Sequence, residues 1–172
     1  MLLKSTPIAA LLASLLFSTI ASGSKVVKGV HRTFYSFPDN DPPGPATAYD
    51  CGYGRGYTAG GTGTYDDPLT FATAPGEFKK CEIVWDPYVK KYLIHQDYCA
   101  QCVIDYDDGI KHIDLWNGSP THNAHKIVRK CDRALTPDEP QPVVRKPSMD
   151  LDADSHPLFE DGVCYTERVY PQ

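Results

Sequence analysis

Several things are missing from this chain, and each absence excludes something. No window repeats apolar residues at the 3.6-residue period of an amphipathic helix, which argues against a helical bundle. There is no Gly-x-Ser-x-Gly, so no nucleophile elbow is available. One Cys-x-x-Cys is present, Cys99 to Cys102, with no second to complete a four-thiolate zinc site and no βαβ pattern around it. Positive charge is not in excess: 17 Lys and Arg stand against 22 Asp and Glu, a net charge of −5. The basic pairs Lys79-Lys80, Lys90-Lys91 and Arg129-Lys130 are scattered, so no nucleic-acid partner is expected. No internal repeat is visible, and 172 residues leave room for one domain.

The long apolar run that does occur lies at the start. Lys4 precedes an apolar stretch from Pro7 to Ile20, and small residues follow at Ala21, Ser22 and Gly23. This reads as a cleavable leader over residues 1–23, shorter than the ~20 apolar residues a membrane span needs. Its removal takes away Lys4 and moves the net charge from −5 to −6. The expected product is secreted and extracellular, not membrane-bound, and monomeric. Six cysteines remain: Cys51, Cys81, Cys99, Cys102, Cys131 and Cys164. An even count in an oxidising compartment predicts three disulfides, with the pairing left open.

Along the mature chain, residues 24–47 read as an N-terminal extension, with Phe34 to Phe37 a possible first strand. The proline-rich run from Pro38 to Pro45 forbids helix. Ala48 to Tyr65 is rich in glycine and tyrosine. A Gly-x-Gly-x-x-Gly can be forced onto Gly52 and Gly54, but no strand precedes it and no helix follows, so no dinucleotide and no other cofactor is expected. A glycine-rich groove rim fits better, with Tyr53, Tyr57 and Tyr65 packing, turning, or stacking on a ligand. Strand patterns then recur at intervals of roughly ten residues: Leu69–Ala74, Cys81–Trp85, Lys91–His95, Cys102–Asp105 and His112–Trp116. That rhythm predicts a small barrel or sandwich, mainly β, with its core over residues 48–131. Ala124 to Cys131 is the best short helix. Residues 132–172 form a Pro/Asp-rich, extended or mobile arm, brought back by a terminal strand at Val163–Tyr170.

Two acids stand out. Leu93-Ile94 leads into Asp97, and Asp114 sits between Ile113 and Leu115. Two carboxylates in one groove can divide acid and base roles, as glycoside cleavage requires. A purely structural Asp114 is the alternative. His112 lies two residues before Asp114 on the same strand face and suits an acid/base partner. Asp150-x-Asp152-x-Asp154 opens like a calcium loop, but Ser155 stands where glycine is needed, so a solvated acidic arm is read there and no metal. Asn117-Gly118-Ser119 is a glycosylation sequon weakened by Pro120.

The run Asp67-Pro68-Leu69-Thr70, then Asp97, then Gly109-x-x-x-Ile113-Asp114-Leu115-Trp116 resembles the three-aspartate domain of bacterial lytic transglycosylases. That domain is a double-psi β-barrel, shared with family 45 endoglucanases, expansins, barwin-like proteins and a bacterial papain inhibitor. The chain is also similar to small cysteine-rich fungal secreted proteins of this barrel type. The resemblance spans roughly Tyr57 to Trp116. Asp97 and Asp114 match the second and third aspartates; the first falls near Ala74, where no acid stands. It implies a six-stranded double-psi barrel, disulfide-stapled, acting on or binding an extracellular polysaccharide, with Asp97 and Asp114 catalytic. Tyr57, Tyr65, Asp67, His112 and Trp116 would bind. The competing expectation is a non-enzymatic effector or protease inhibitor that binds a host or competitor protein.

Overall fold

A computed structural model describes residues 23–37, 42–118 and 125–172. Within them six strands close into one barrel: β1 (Lys25–Tyr35), β2 (Leu69–Thr73), β3 (Ile83–Asp86), β4 (Lys91–Tyr98), β5 (Lys111–Trp116) and β6 (Gln141–Arg145). The order around the barrel is β1-β5-β2-β4-β3-β6. Two neighbouring pairs are parallel, β1 with β5 and β2 with β4, and the rest are antiparallel. Closure removes exposed sheet edges, because each strand has a hydrogen-bonded neighbour on both sides.

Alternation fills the barrel. Val30, Phe71, Val84, Leu93, Ile113, Leu115 and Val143 are fully buried. Arg32 lies between Val30 and Phe34 on the inward face of β1, and its Nε meets Asp86 of β3 at 2.6 Å with both side chains buried. This inward arginine masks the period-2 signal of β1. Lys25–Tyr35, expected within an N-terminal extension, is therefore a barrel strand.

The segment Cys102–Asp105, expected as a strand, lies in a helix, α1 (Ala100–Asp107). Cys99 is bonded to Cys102. Residues three apart in a strand sit roughly 10 Å apart, beyond disulfide reach, whereas one helical turn brings them together. The Cys99 sulfur also accepts from the Cys102 N–H, and Gly109, at φ 80°, ends the helix.

The second helix, α2 (His125–Leu135), overlaps the expected Ala124–Cys131 and runs four residues further. Its buried stripe is Val128, Cys131, Asp132 and Leu135, a helical period hidden because two of its members are a cysteine and an aspartate. Asp132 is reached by Ser36 Oγ and Asn117 Nδ2, each at 2.7 Å.

The C-terminal region also differs from a mobile arm. β6 closes the barrel between β1 and β3. Beyond it the chain is irregular but tied down. Lys91 Nζ donates to the carbonyls of Thr62, Asp154 and His156, and Arg168 pairs with Asp154. The expected strand at Val163–Tyr170 is only Val163–Cys164 (β8), paired with Phe159–Glu160 (β7) and followed by a 3-10 turn. Three disulfides brace the whole: Cys51–Cys81, Cys99–Cys102 and Cys131–Cys164. The expected leader up to Ser22, the run from Pro38 to Asp41, and Ser119 to Ala124 with the end of the sequon fall outside the described residues.

Candidate functional site

Strand register builds the site. Ala72 of β2 is partnered by Asp97 of β4 on one side and by Asp114 of β5 on the other. Asp114 is partnered in turn by Thr33 of β1. Partnered residues point to the same sheet face. Ile113 and Leu115 point into the barrel, so Asp114 and this whole row point outward. The sequence Thr33–Asp114–Ala72–Asp97 is thus one line across four strands, with the smallest side chain between the two acids.

Above this line is an open cavity of about 550 Å³, lined among others by Tyr35, Thr47, Ala72, Asp97, Tyr98 and Asp114. Ala72 is its floor. The register bulge after Phe71 is what brings Asp97 rather than Gln96 onto the outward face. Asp97 is held firmly: Oδ1 accepts the N–H groups of Ala48 and Tyr98 at 3.0 and 2.8 Å, and Oδ2 accepts the Tyr35 hydroxyl at 3.0 Å. The Ala48 bond also pins the 42–48 segment over the cleft.

Burial pushes the Asp97 carboxyl above the usual aspartate value, opposed by the Tyr98 N–H, the Tyr35 hydroxyl and the Ala48 N–H. The Tyr35 phenol is held well above 10, first by burial and then by the charges of Asp97 and Asp114. It therefore remains a donor at any physiological pH. Its ring meets Trp116 edge-on at 5.2 Å.

Next to Asp114 the contacts continue. Thr33 Oγ1 lies 2.7 Å from Asp114 Oδ1 and 2.9 Å from His112 Nε2, and His112 Nδ1 lies 2.6 Å from Asp105 of α1. Burial lowers the His112 value, with Asp105 opposing. Glu77 accepts the His112 backbone N–H and the Thr73 hydroxyl, so the acid nearest to Ala74 in the chain is engaged in these bonds and does not line the cleft.

Asp97 and Asp114 are therefore together in the cavity, and His112 reaches it through Thr33. The other expected binding residues are elsewhere. Tyr57 is 63% exposed on the loop whose carbonyl accepts the Thr47 N–H. Tyr65 packs edge-on against Tyr92. Asp67 pairs with Arg55 and accepts the Thr62 N–H, an arrangement internal to the glycine-rich loop. Trp116 is buried and lines a separate cavity with Gly60, Lys91 and Leu158. Thr33, Tyr35 and Tyr98 also adjoin or line the cleft; the alternation His31-Thr33-Tyr35 puts Thr33 and Tyr35 on one strand face, but only register between distant strands brings that face to the acids. Among the described residues no cluster of three or more His, Cys, Asp or Glu is arranged to hold a metal ion. No described helix is long and apolar enough to cross a membrane.

No solved structure matches the chain. A Dictyostelium discoideum protein described as uncharacterized, DDB_G0273701/DDB_G0273221, is 36% identical over 126 residues, covering 73% of this chain and 53% of that protein. The chain thus spans about half the length of the curated relative it matches. The sequence model of one family matches residues 27–165, from the third residue of β1 to just past β8, and so takes in every barrel strand. The chain belongs to the family described as the DDB_G0273701 N-terminal domain.

Proposed function

We propose that this barrel is an extracellular glycan-directed protein whose cleft binds a polysaccharide and cleaves it, with Asp114 as acid and Asp97 as base. The observation that carries this reading is the placement of both carboxylates in one open cavity, across a floor of one alanine. Two strand spacings separate their Cα atoms, roughly 9.5 Å. A gap of that order suits a water between base and sugar, the inverting arrangement, better than direct attack by a carboxylate. Tyr98, 51% exposed on the cleft wall, offers a face for a sugar ring. Three disulfides support an oxidising, extracellular setting. The pairing of β1 with β5 and β2 with β4 in parallel, within a six-stranded closed barrel, supports the double-psi topology and kinship with the three-aspartate and barwin-expansin group.

The test is retention on, and reducing ends released from, cellulose, chitin, β-glucan and peptidoglycan. Asp114→Asn should abolish release while leaving retention. Absence of both retention and release on every polymer would refute the reading.

A second reading has its own observation. Ile104, Tyr106 and Ile110 are exposed on and just after α1, away from the acids. An apolar surface of this kind suits a protein partner, as an effector or protease inhibitor would need. Co-purification with a secreted or host protein, lost on Ile104→Asp, would favour it.

A further inference from the structure

One set of polar side chains is joined end to end across three elements. It starts at Asp105, whose side chain is partly exposed on α1, passes through buried His112 of β5 and Thr33 of β1, and ends at Asp114 in the cleft. The three links measure 2.6, 2.9 and 2.7 Å. Each link needs one proton between its two heavy atoms.

Counting those protons is informative. The Thr33 hydroxyl supplies one and a neutral imidazole supplies one, while ionised carboxylates supply none. Three links are filled only when the set carries one further proton. With Asp105 ionised, two arrangements do this. In the first, His112 holds protons on both ring nitrogens, and Thr33 donates to ionised Asp114. In the second, His112 keeps only its Nδ1 proton toward Asp105, Thr33 donates to Nε2, and protonated Asp114 donates to Thr33. The two interconvert without any heavy atom moving far. The Nε2 proton passes to Oγ1 as the Oγ1 proton passes to Oδ1, leaving His112 neutral and Asp114 a carboxylic acid.

We propose that Asp105, His112 and Thr33 form a proton relay that recharges Asp114 from the protein surface. His112 and Thr33 act through Asp114 and are positioning residues. The use of the relay in catalysis rests on the glycan-cleaving reading; its existence does not. The groups that face His112 are Asp105 from α1, His31 and Thr33 from β1, Glu77 from the segment after β2, and Lys111 and Asp114 on its own strand. Thr33 connects it to Asp114.

The experiment is NMR titration of the His112 ring and the Asp114 carboxyl carbon in the full chain, from about pH 3 to 9. Coupled sites titrate in shared steps. In the wild type both nuclei should show the same two midpoints. Thr33→Val, which keeps shape and removes the hydroxyl, should separate the curves and move the His112 midpoint by about one pH unit or more. Asp114→Asn should also move it, and Thr33→Ser should restore the shared midpoints. Identical His112 curves in wild type, Thr33→Val and Asp114→Asn would overturn the relay. If Thr33→Val fails to fold, the comparison of wild type with Asp114→Asn and Thr33→Ser decides alone. Shared midpoints in a protein that neither binds nor cleaves any glycan would leave the relay standing and remove only the function proposed above.

Discussion

Removing Arg32 should be among the most damaging single changes in the barrel. Its guanidinium is sealed inside, and Nε meets Asp86 Oδ2 at 2.6 Å, with no exposure of either side chain. In Arg32→Met the packing volume is nearly kept, but Asp86 loses its counter-charge and retains backbone N–H donors such as that of Tyr88, at 2.9 Å. Breaking a buried pair from one side costs about 3–5 kcal/mol, because the remaining charge is left in a low-dielectric interior. Burial already raises the Asp86 carboxyl above its usual value, with Arg32 as the largest opposing influence. Without Arg32 it rises further. A raised carboxyl binds its proton more tightly folded than unfolded, so stability falls as pH climbs from the unfolded value toward the folded one. The loss in Arg32→Met should therefore be full at neutral pH and smaller at about pH 4. Arg32→Met/Asp86→Leu, which removes both charges, should recover most of the loss. Urea unfolding followed by the fluorescence of Trp85, beside Asp86, and Trp116 measures all of this. A loss below about 1 kcal/mol in Arg32→Met, or one that ignores pH, would refute the reasoning.

Asp97→Asn should fold with near wild-type stability, because Oδ1 still accepts both N–H groups and the new Nδ2 can donate to the Tyr35 oxygen; glycan release should nevertheless be lost, as a reducing-end assay would show. Replacing Cys131 and Cys164, 33 residues apart, should cost about 3–4 kcal/mol, against roughly 2 for Cys99 and Cys102, only 3 apart, read as urea midpoints. Burial lowers Lys91 to about 8. The unfolded chain then holds that proton more tightly, so the wild type should gain about 3 kcal/mol relative to Lys91→Met between roughly pH 8 and 10.5, measured as a difference of unfolding free energies.

The barrel was legible where strands carried β-branched and aromatic residues between turn signals, as at Leu69–Thr73 and Lys91–Tyr98. It was hidden where function or closure broke the pattern. Arg32 interrupts the apolar side of β1, Pro142 argues against a strand in β6, and Val103-Ile104 imitates a strand within α1. The two acids could be found because each stands beside an apolar run and must face away from it. Thr33, Tyr35 and Asp105 could not. Their importance comes from register between segments far apart in the chain, which no local window contains.

The ladder between β1 and its neighbours has a consequence during synthesis. Its partners are β5 and β6, so the first strand leaves the ribosome with nothing to pair with. Roughly 80 further residues must be made before β5 is complete, about 4 to 16 s at ordinary translation speeds. Throughout that interval Val27, Val30 and Phe34 stand without the strands that later cover them, and only completion of β6 closes the barrel over them. A nascent chain stalled before Arg145 should therefore be held by chaperones or aggregate, whereas one released beyond Cys164 should close.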